Sequence, residues 1–351
     1  MKDNALHVCI TLRQLLISIC DAVITKRKTT IIFLLDYQDL SFERQERLIT
    51  NFETIEFFFI KEYELINDFC PIQKNIPGII RRNFSIKDGR FYFGCGKWVP
   101  HFLAKRKYNT TYIYHSGPFT SKVVRSVSQK IILREDGLSN YVIQPLHPLK
   151  AAVRLFWGLS PFGQVWGEEK WVASLEVESP ELLPKRVRKK ADKLTISSLL
   201  ISLDVTNRAR LIDSFELQGL SSFDNSRSCL ILTQPIDDVG ICCTKDKVEL
   251  YSKLALKFLN KGYEVYIKFH PKEKEYKIPN ARVISKDFPV ELLKYVLDGQ
   301  FIYCVALCSS SINSEEHSLA LRQKQLIPLE YFNKSYFDGW EDFVEAFQIE
   351  D

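Results

Sequence analysis

The chain has 351 residues, 46% hydrophobic and 26% charged, a composition that excludes a disordered or fibrous protein and leaves room for two domains of ordinary size. A formal net charge of +5 is too small for a protein that presents a whole basic face to nucleic acid. Its 9 cysteines include no Cys-x-x-Cys pair and no zinc-like Cys/His spacing, so they read as reduced thiols of a cytosolic protein.

Residues 6–24 are apolar but carry Arg13 and Asp21 and lack a small-residue cleavage site, so neither a secretory leader nor a spanning helix is expected. A strand at 7–10 leads into Leu12, Leu15, Leu16, Ile19 and Cys20 at helical spacing. β-Branched and aromatic runs at 29–35 and 54–60, separated by a helical pattern at 42–49, predict parallel strands covered on both faces. Residues 91–100, with Gly94 and Gly96 around Cys95, read as a loop without a phosphate-binding pattern. A further strand at 110–114 ends on His115, which has no neighbour in sequence to tune it and reads as structural.

The stretch at 129–141 organises the rest of the chain. Ile131, Ile132 and Leu133 favour a covered strand, whereas Glu135 and Asp136 need partners or water, so the chain must surface there. Gly137 then permits a turn. Carboxylates at the carboxyl end of a strand in an open α/β sheet face the crevice where such folds bind ligands, although Asp-Gly is also a common surface turn. From 142 to 191 no clear strand is predicted, and Trp157, Trp166 and Trp171 alternate with prolines and basic residues in what reads as an interdomain segment. Its basic block at 185–190 suits a solvated linker, an anionic substrate or an anionic membrane surface.

Alternation resumes with a strand at 229–235, a helix at 245–259 ended by Lys261 and Gly262, and a strand at 264–269 that runs into His270 and Pro271. A strand at 282–285, a helical pattern at 289–297, a strand at 301–307 and a helix from Asn313 complete a second α/β set. The serines Ser309, Ser310 and Ser311 stand where a helix begins, a position that caps the helix or holds a phosphate. A short amphipathic helix at 340–347 is expected to pack back on the first domain.

With Glu135-Asp136-Gly137, His270-Pro271 and Ser309-Ser310-Ser311 in that order at strand ends, the chain resembles the bacterial sialyltransferases that carry an acidic-acidic-glycine, a His-Pro and a serine motif. These enzymes and the related polysialyltransferases build sialylated lipooligosaccharide, O-antigen and capsule. Residues 10–15 and 232–235 also look like segments of these families, with Arg13 departing from the uncharged pattern.

The resemblance implies an α/β fold of glycosyltransferase B type, two Rossmann-like domains facing a central cleft. The expected division is 1–190 for the acceptor side, including the interdomain segment from about 142, 191–335 for the nucleotide-sugar side, and 336–351 for the returning helix. It further implies an inverting, metal-independent transfer from CMP-sialic acid to a glycan or glycolipid acceptor, with no cofactor and no nucleic-acid partner. Carried over by position, Glu135 is the base with Asp136 as the alternative, and His270 protonates or hydrogen-bonds the departing phosphate. Gly137 and Pro271 complete those two motifs, Ser309, Ser310 and Ser311 hold phosphate or ribose, and Lys268 and Lys272 add positive potential. A donor such as CMP-linked Kdo and a non-catalytic assembly protein of the same fold are the alternatives. Association with the inner face of an anionic membrane is expected from the tryptophans and the basic block.

Overall fold

The computed structural model describes residues 3–69, 84–87, 90–93, 98–148, 151, 154, 160–217, 227–297, 299–309, 312, 319–332 and 334–350. It divides into two compact units, Met1–Leu211 and Ile212–Asp351.

In the first unit β1 (Asn4–Cys9), β2 (Lys28–Leu34) and β3 (Ile55–Ile60) are followed by a separate antiparallel pair, β4 (Phe84–Lys87) and β5 (Arg90–Phe93). The main sheet then continues with β6 (Tyr108–Ile113), β7 (Ser128–Arg134), β8 (Ser174–Val177) and β9 (Ala191–Lys193). Its seven strands lie in the order β3-β2-β1-β6-β7-β8-β9 and every pair is parallel. The winding reverses between β1 and β6, which makes the carboxyl ends of these strands and their neighbour β7 the natural ligand edge.

The crossover helices are α1 (Leu12–Thr25), α2 (Phe42–Asn51) and α3 (Glu62–Phe69), with α4 (Phe119–Val123), α5 (Lys185–Arg188), α6 (Ile196–Ser202) and α7 (Val205–Phe215) shorter or later. The start of α1 is fixed by Thr11, whose side chain accepts from the Gln14 amide, and its end by Lys26 in the left-handed region at φ 54°. Leu6, Val8, Ile32, Ile113, Leu133 and Leu175 fill the core on one side of the sheet.

The second unit holds β10 (Ser228–Leu232), β11 (Glu264–Lys268), β12 (Ala281–Ile284), β13 (Phe301–Ala306) and β14 (Ala320–Gln325), all parallel, in the order β12-β11-β10-β13-β14. Here the winding reverses between β10 and β13. The long helix α8 (Thr244–Asn260) lays Leu250, Tyr251, Leu254, Ala255 and Phe258 on the sheet, an i, i+3/i+4 stripe. Both units are Rossmann-like.

Four expectations change. The segment after 142 is not strandless: β8 and β9 extend the first sheet, and at four and three residues they are too short to show periodicity. The division falls after Leu211 rather than at 190, because β9 and α6, which packs on α1, belong to the first unit. The terminal helix α9 (Trp340–Ala346) packs within the second unit, where Trp340 is fully buried and Lys257 Nζ donates to the carbonyls of Val344 and Glu345. Residues 91–93 of the expected loop belong to β5, while 94–97 and 313–318, where a helix is expected to begin, lie outside the described residues. Among the described residues no helix is long and apolar enough to cross a membrane.

Candidate functional site

In the first unit the strand-end carboxylates are held from several directions. The Glu135 amide donates to the Glu176 carbonyl at 3.0 Å, which carries the β7–β8 pairing one residue past the strand. Glu135 is only 6% exposed, and its Oε2 accepts from the Glu178 amide at 2.7 Å and from the Tyr141 hydroxyl. Tyr141 in turn accepts from the Ser179 amide at 3.1 Å. Burial, with the Glu135 carboxylate beside it, raises the Tyr141 phenol above its ordinary range, so it stays a donor.

Asp136 follows in a tight turn closed by its own amide donating to Asn140 Oδ1 at 2.9 Å and by Asn140 N–H donating to the Gly137 carbonyl at 3.1 Å. Gly137 has φ 133°, a conformation that a side chain would resist. Asp136 Oδ1 accepts from Gln14 Nε2, and Gln14 Oε1 accepts from the Ile10 amide at 2.7 Å. Gln14 therefore braces the end of β1 against the end of β7, which gives the opening motif a structural role. Arg13 lines one small cavity with Glu135, Arg134 and Glu176.

Beneath this edge lies a buried charge cluster. Arg134, 2% exposed, donates from Nε to Glu176 Oε2 at 2.7 Å, places Nη2 3.3 Å from Asp21 Oδ1, and covers the Tyr112 ring. His7 Nε2 is 3.4 Å from Asp21 Oδ2, and burial brings its pKa down to about 4. Burial works against ionisation of Asp21 as well, yet His7, Arg134 and Arg27 together hold its carboxyl well below the usual range. Such a cluster fixes β1, β7, β8 and α1 against one another under the carboxylates.

His115, at the end of β6, accepts on Nδ1 from the Gly117 amide at 2.8 Å and packs on Trp166 with ring centroids 3.9 Å apart. Its structural assignment fits these contacts. Trp166 is buried and Trp171 packs on the core, so neither has the place in a membrane interface that the sequence invited; Trp157 lies outside the described residues. The basic block is also largely engaged. Arg186 donates to the Gly163 carbonyl at 3.2 Å, Arg188 to the Leu183 carbonyl at 2.8 Å and Lys190 to the Val172 carbonyl at 2.9 Å.

In the second unit the ends of β10, β11 and β13 carry Thr233, His270 and Ser309. His270 Nδ1 accepts from the Lys272 amide at 3.3 Å, which leaves the ring proton on Nε2. Burial, then the charges of Lys272 and Lys268, bring its pKa down to about 4, so the free protein carries a neutral imidazole with one N–H to offer. Lys268 is buried and donates to the carbonyls of Ser285 at 3.0 Å and Lys286 at 3.3 Å, hydrogen bonds that tie β11 to the turn after β12. Pro271 follows with its fixed φ. Ser309 is buried, with its carbonyl 3.5 Å from the Ile312 amide, and Ser310 and Ser311 lie outside the described residues.

Glu273, Lys247 and Asp237 were not picked out from the sequence. Glu273 is 1% exposed, and its Oε2 accepts from the His270 amide at 2.9 Å and from the Thr233 hydroxyl. Lys247 Nζ bridges Glu273 Oε1 at 3.1 Å and Asp237 Oδ1 at 2.6 Å. The available signal was an acid three residues after the histidine. Among the described residues no group of three His, Cys, Asp or Glu could hold a metal ion.

Residues 101–316 match the alpha-2,8-polysialyltransferase (POLYST) family. The chain belongs to that family. It is therefore a glycosyltransferase of the sialyltransferase type, and the matched span contains Glu135, Asp136, His270 and Ser309. No curated protein matches it. Among solved structures it is similar to a glycosyltransferase from Rickettsia africae, at 9% identity and TM-score 0.43 over 98% of this chain and 93% of that one. A UDP-GlcNAc 2-epimerase from Methanocaldococcus jannaschii is similar at 9% identity and TM-score 0.45, with the same coverage. For this polysialyltransferase-family chain the fold assignment rests on the two sheet orders rather than on those likenesses.

Proposed function

We propose that the chain transfers sialic acid from CMP-sialic acid to a hydroxyl of a glycan acceptor, inverting the anomeric centre without a metal. The observation that carries the reading is the family match over 101–316, because that span includes all three strand-end motifs. The family's name makes the terminal sialic acid of an oligosialic chain the first acceptor to test. A terminal galactose of lipooligosaccharide or O-antigen is the second.

In this reaction the acceptor oxygen attacks the anomeric carbon as the bond to the CMP phosphate breaks. Glu135 takes the acceptor proton on Oε1, since Tyr141 and the Glu178 amide both engage Oε2. Asp136, braced by Gln14, is the alternative base. His270 donates its Nε2–H to the departing phosphate, a role as hydrogen-bond donor that the low pKa supports over full proton transfer. Ser309, Ser310 and Ser311 are assigned to phosphate or ribose. A monophosphate leaving group carries less charge than a nucleoside diphosphate, which favours chemistry without a bridging cation.

The deciding experiment is incubation with CMP-sialic acid and a panel of oligosialic acids and galactosides, following CMP release. Transfer to oligosialic acid supports the full reading, and transfer to galactosides alone redirects the acceptor. Release from CMP-Kdo but not CMP-sialic acid overturns the donor. Tight CMP binding without turnover identifies a non-catalytic assembly protein.

A further inference from the structure

The backbone at His270 is clamped at both ends by one residue. β11 ends at Lys268, and the last ladder bond there is Thr233 N–H to the Lys268 carbonyl at 3.0 Å. Beyond the strand, the His270 amide donates to Glu273 Oε2 at 2.9 Å and, at a longer 3.3 Å, to Thr233 Oγ1, while the Glu273 amide donates back to the His270 carbonyl at 2.8 Å. The turn this creates also aims the Lys272 amide at His270 Nδ1. Backbone amide, carbonyl and one ring nitrogen are thus all fixed, and only Nε2–H remains for a ligand.

The clamp is itself anchored. A buried carboxylate keeps its charge only when paired and hydrogen-bonded. Lys247 from α8 supplies the charge to Glu273 Oε1, the Thr233 hydroxyl at the end of β10 fills out Oε2, and Asp237 takes the remaining charge of Lys247. This network joins the ends of β10 and β11 to α8.

We propose that Glu273 is a positioning residue for His270, and that Thr233 and Lys247 set its carboxylate in place for that purpose. The inference rests on His270 acting on the donor phosphate. An ordinary buried ion pair would stabilise the unit without fixing the imidazole, and the two roles separate experimentally.

The test uses the full chain with nitrogen-labelled histidine, its 6 histidines being sorted by the signal lost in His270→Ala. In the unaltered chain His270 is expected to show the Nε2–H tautomer alone. Glu273→Ala should turn this into a mixture and lower kcat by on the order of 10- to 100-fold with a smaller change in KM for CMP-sialic acid, since a displacement of ~1 Å at a reacting group costs up to ~100-fold. Glu273→Gln keeps an acceptor oxygen for the His270 amide and should fall between the two. Should Glu273→Ala fail to fold, Thr233→Val, which removes the hydroxyl bond to Glu273 Oε2 together with the longer contact from the His270 amide, gives the comparison at smaller amplitude. The inference is overturned if Glu273→Ala, or Thr233→Val in its place, lowers the unfolding midpoint while tautomer and kcat stay as in the unaltered chain. If the unaltered chain releases no CMP from CMP-sialic acid, the donor reading has failed, and the tautomer pattern alone decides the role of Glu273.

Discussion

At the scale of single residues, the two carboxylates of the acidic motif differ in their surroundings. Glu135 is buried and doubly hydrogen-bonded on one oxygen, whereas Asp136 sits in a half-buried turn with Gln14 as its brace. If Glu135 is the base, Glu135→Gln should lower kcat by on the order of 100-fold or more, and Asp136→Asn by much less. The reverse order of losses, measured as CMP release at saturating acceptor, assigns the base to Asp136. Two histidines give a prediction for pH. His7 and His270 are both lowered from 6.5 to about 4, so the unfolded chain takes up their protons more readily than the folded one. Their contribution to stability is complete above pH 6.5 and is lost as pH falls through about 4, by ~3 kcal/mol at most for the fully buried His7. Thermal unfolding followed from pH 7 to pH 4 should show the midpoint falling through that window. A neutral His270 also means that kcat/KM should show no loss between pH 6 and pH 8 from its deprotonation.

At the scale of elements, the motif residues stand just past strand ends, and helix side chains such as Gln14 and Lys247 tie those ends in place. The serine motif begins where β13 leaves the sheet, with Ser309 already buried. Alanine at Ser309, Ser310 and Ser311 together should raise KM for CMP-sialic acid with kcat little changed, and unaltered donor affinity would leave these residues as a helix cap only. The terminal helix α9 depends on Trp340, which fills the second core and donates from Nε1 to the Tyr331 carbonyl at 3.0 Å. Trp340→Ala should cost the second unit about 3–5 kcal/mol, read as a shift of its denaturant midpoint, because the cavity left behind adds to the lost burial.

At the scale of the whole molecule, activity should survive excess EDTA, and its abolition with recovery on adding magnesium or manganese would overturn the metal-independent scheme. Peripheral association with an anionic membrane remains a proposal, and its residues are now narrower than the sequence indicated. Arg186 and Arg188 are exposed but hold local carbonyls, as Lys190 does, so the candidates are the exposed Lys185 and Lys189, with Phe162, 89% exposed, as the apolar contribution. Each lysine near such a surface contributes roughly 1 kcal/mol before screening by salt. Lys185→Gln, Lys189→Gln and Phe162→Ser combined should therefore release the chain from anionic vesicles at low salt. Sedimentation that is unchanged by these substitutions and by high salt removes the membrane from the scheme.

The sequence alone determined the alternating α/β character of both units and the strand-end positions of Glu135, His270 and Ser309, because buried parallel strands are continuous apolar runs and a polar residue just past one must stand at its edge. Some strands toward the sheet edges escaped it: β8 and β9 have too few residues for a period, and the edge strand β14 carries Arg322, Gln323 and Lys324. The surroundings of Trp166 and Trp171 escaped it too, since aromatic rings beside cations look the same whether they meet a membrane or cover a core. Only the tertiary structure decided which groups hold the candidate site. Gln14 and Asp136 are 122 residues apart in the chain, and Thr233 and Glu273 are 40 apart. Hydrogen bonds and ion pairs of such range form because the sheet sets distant strand ends side by side, and no local pattern in the chain records them.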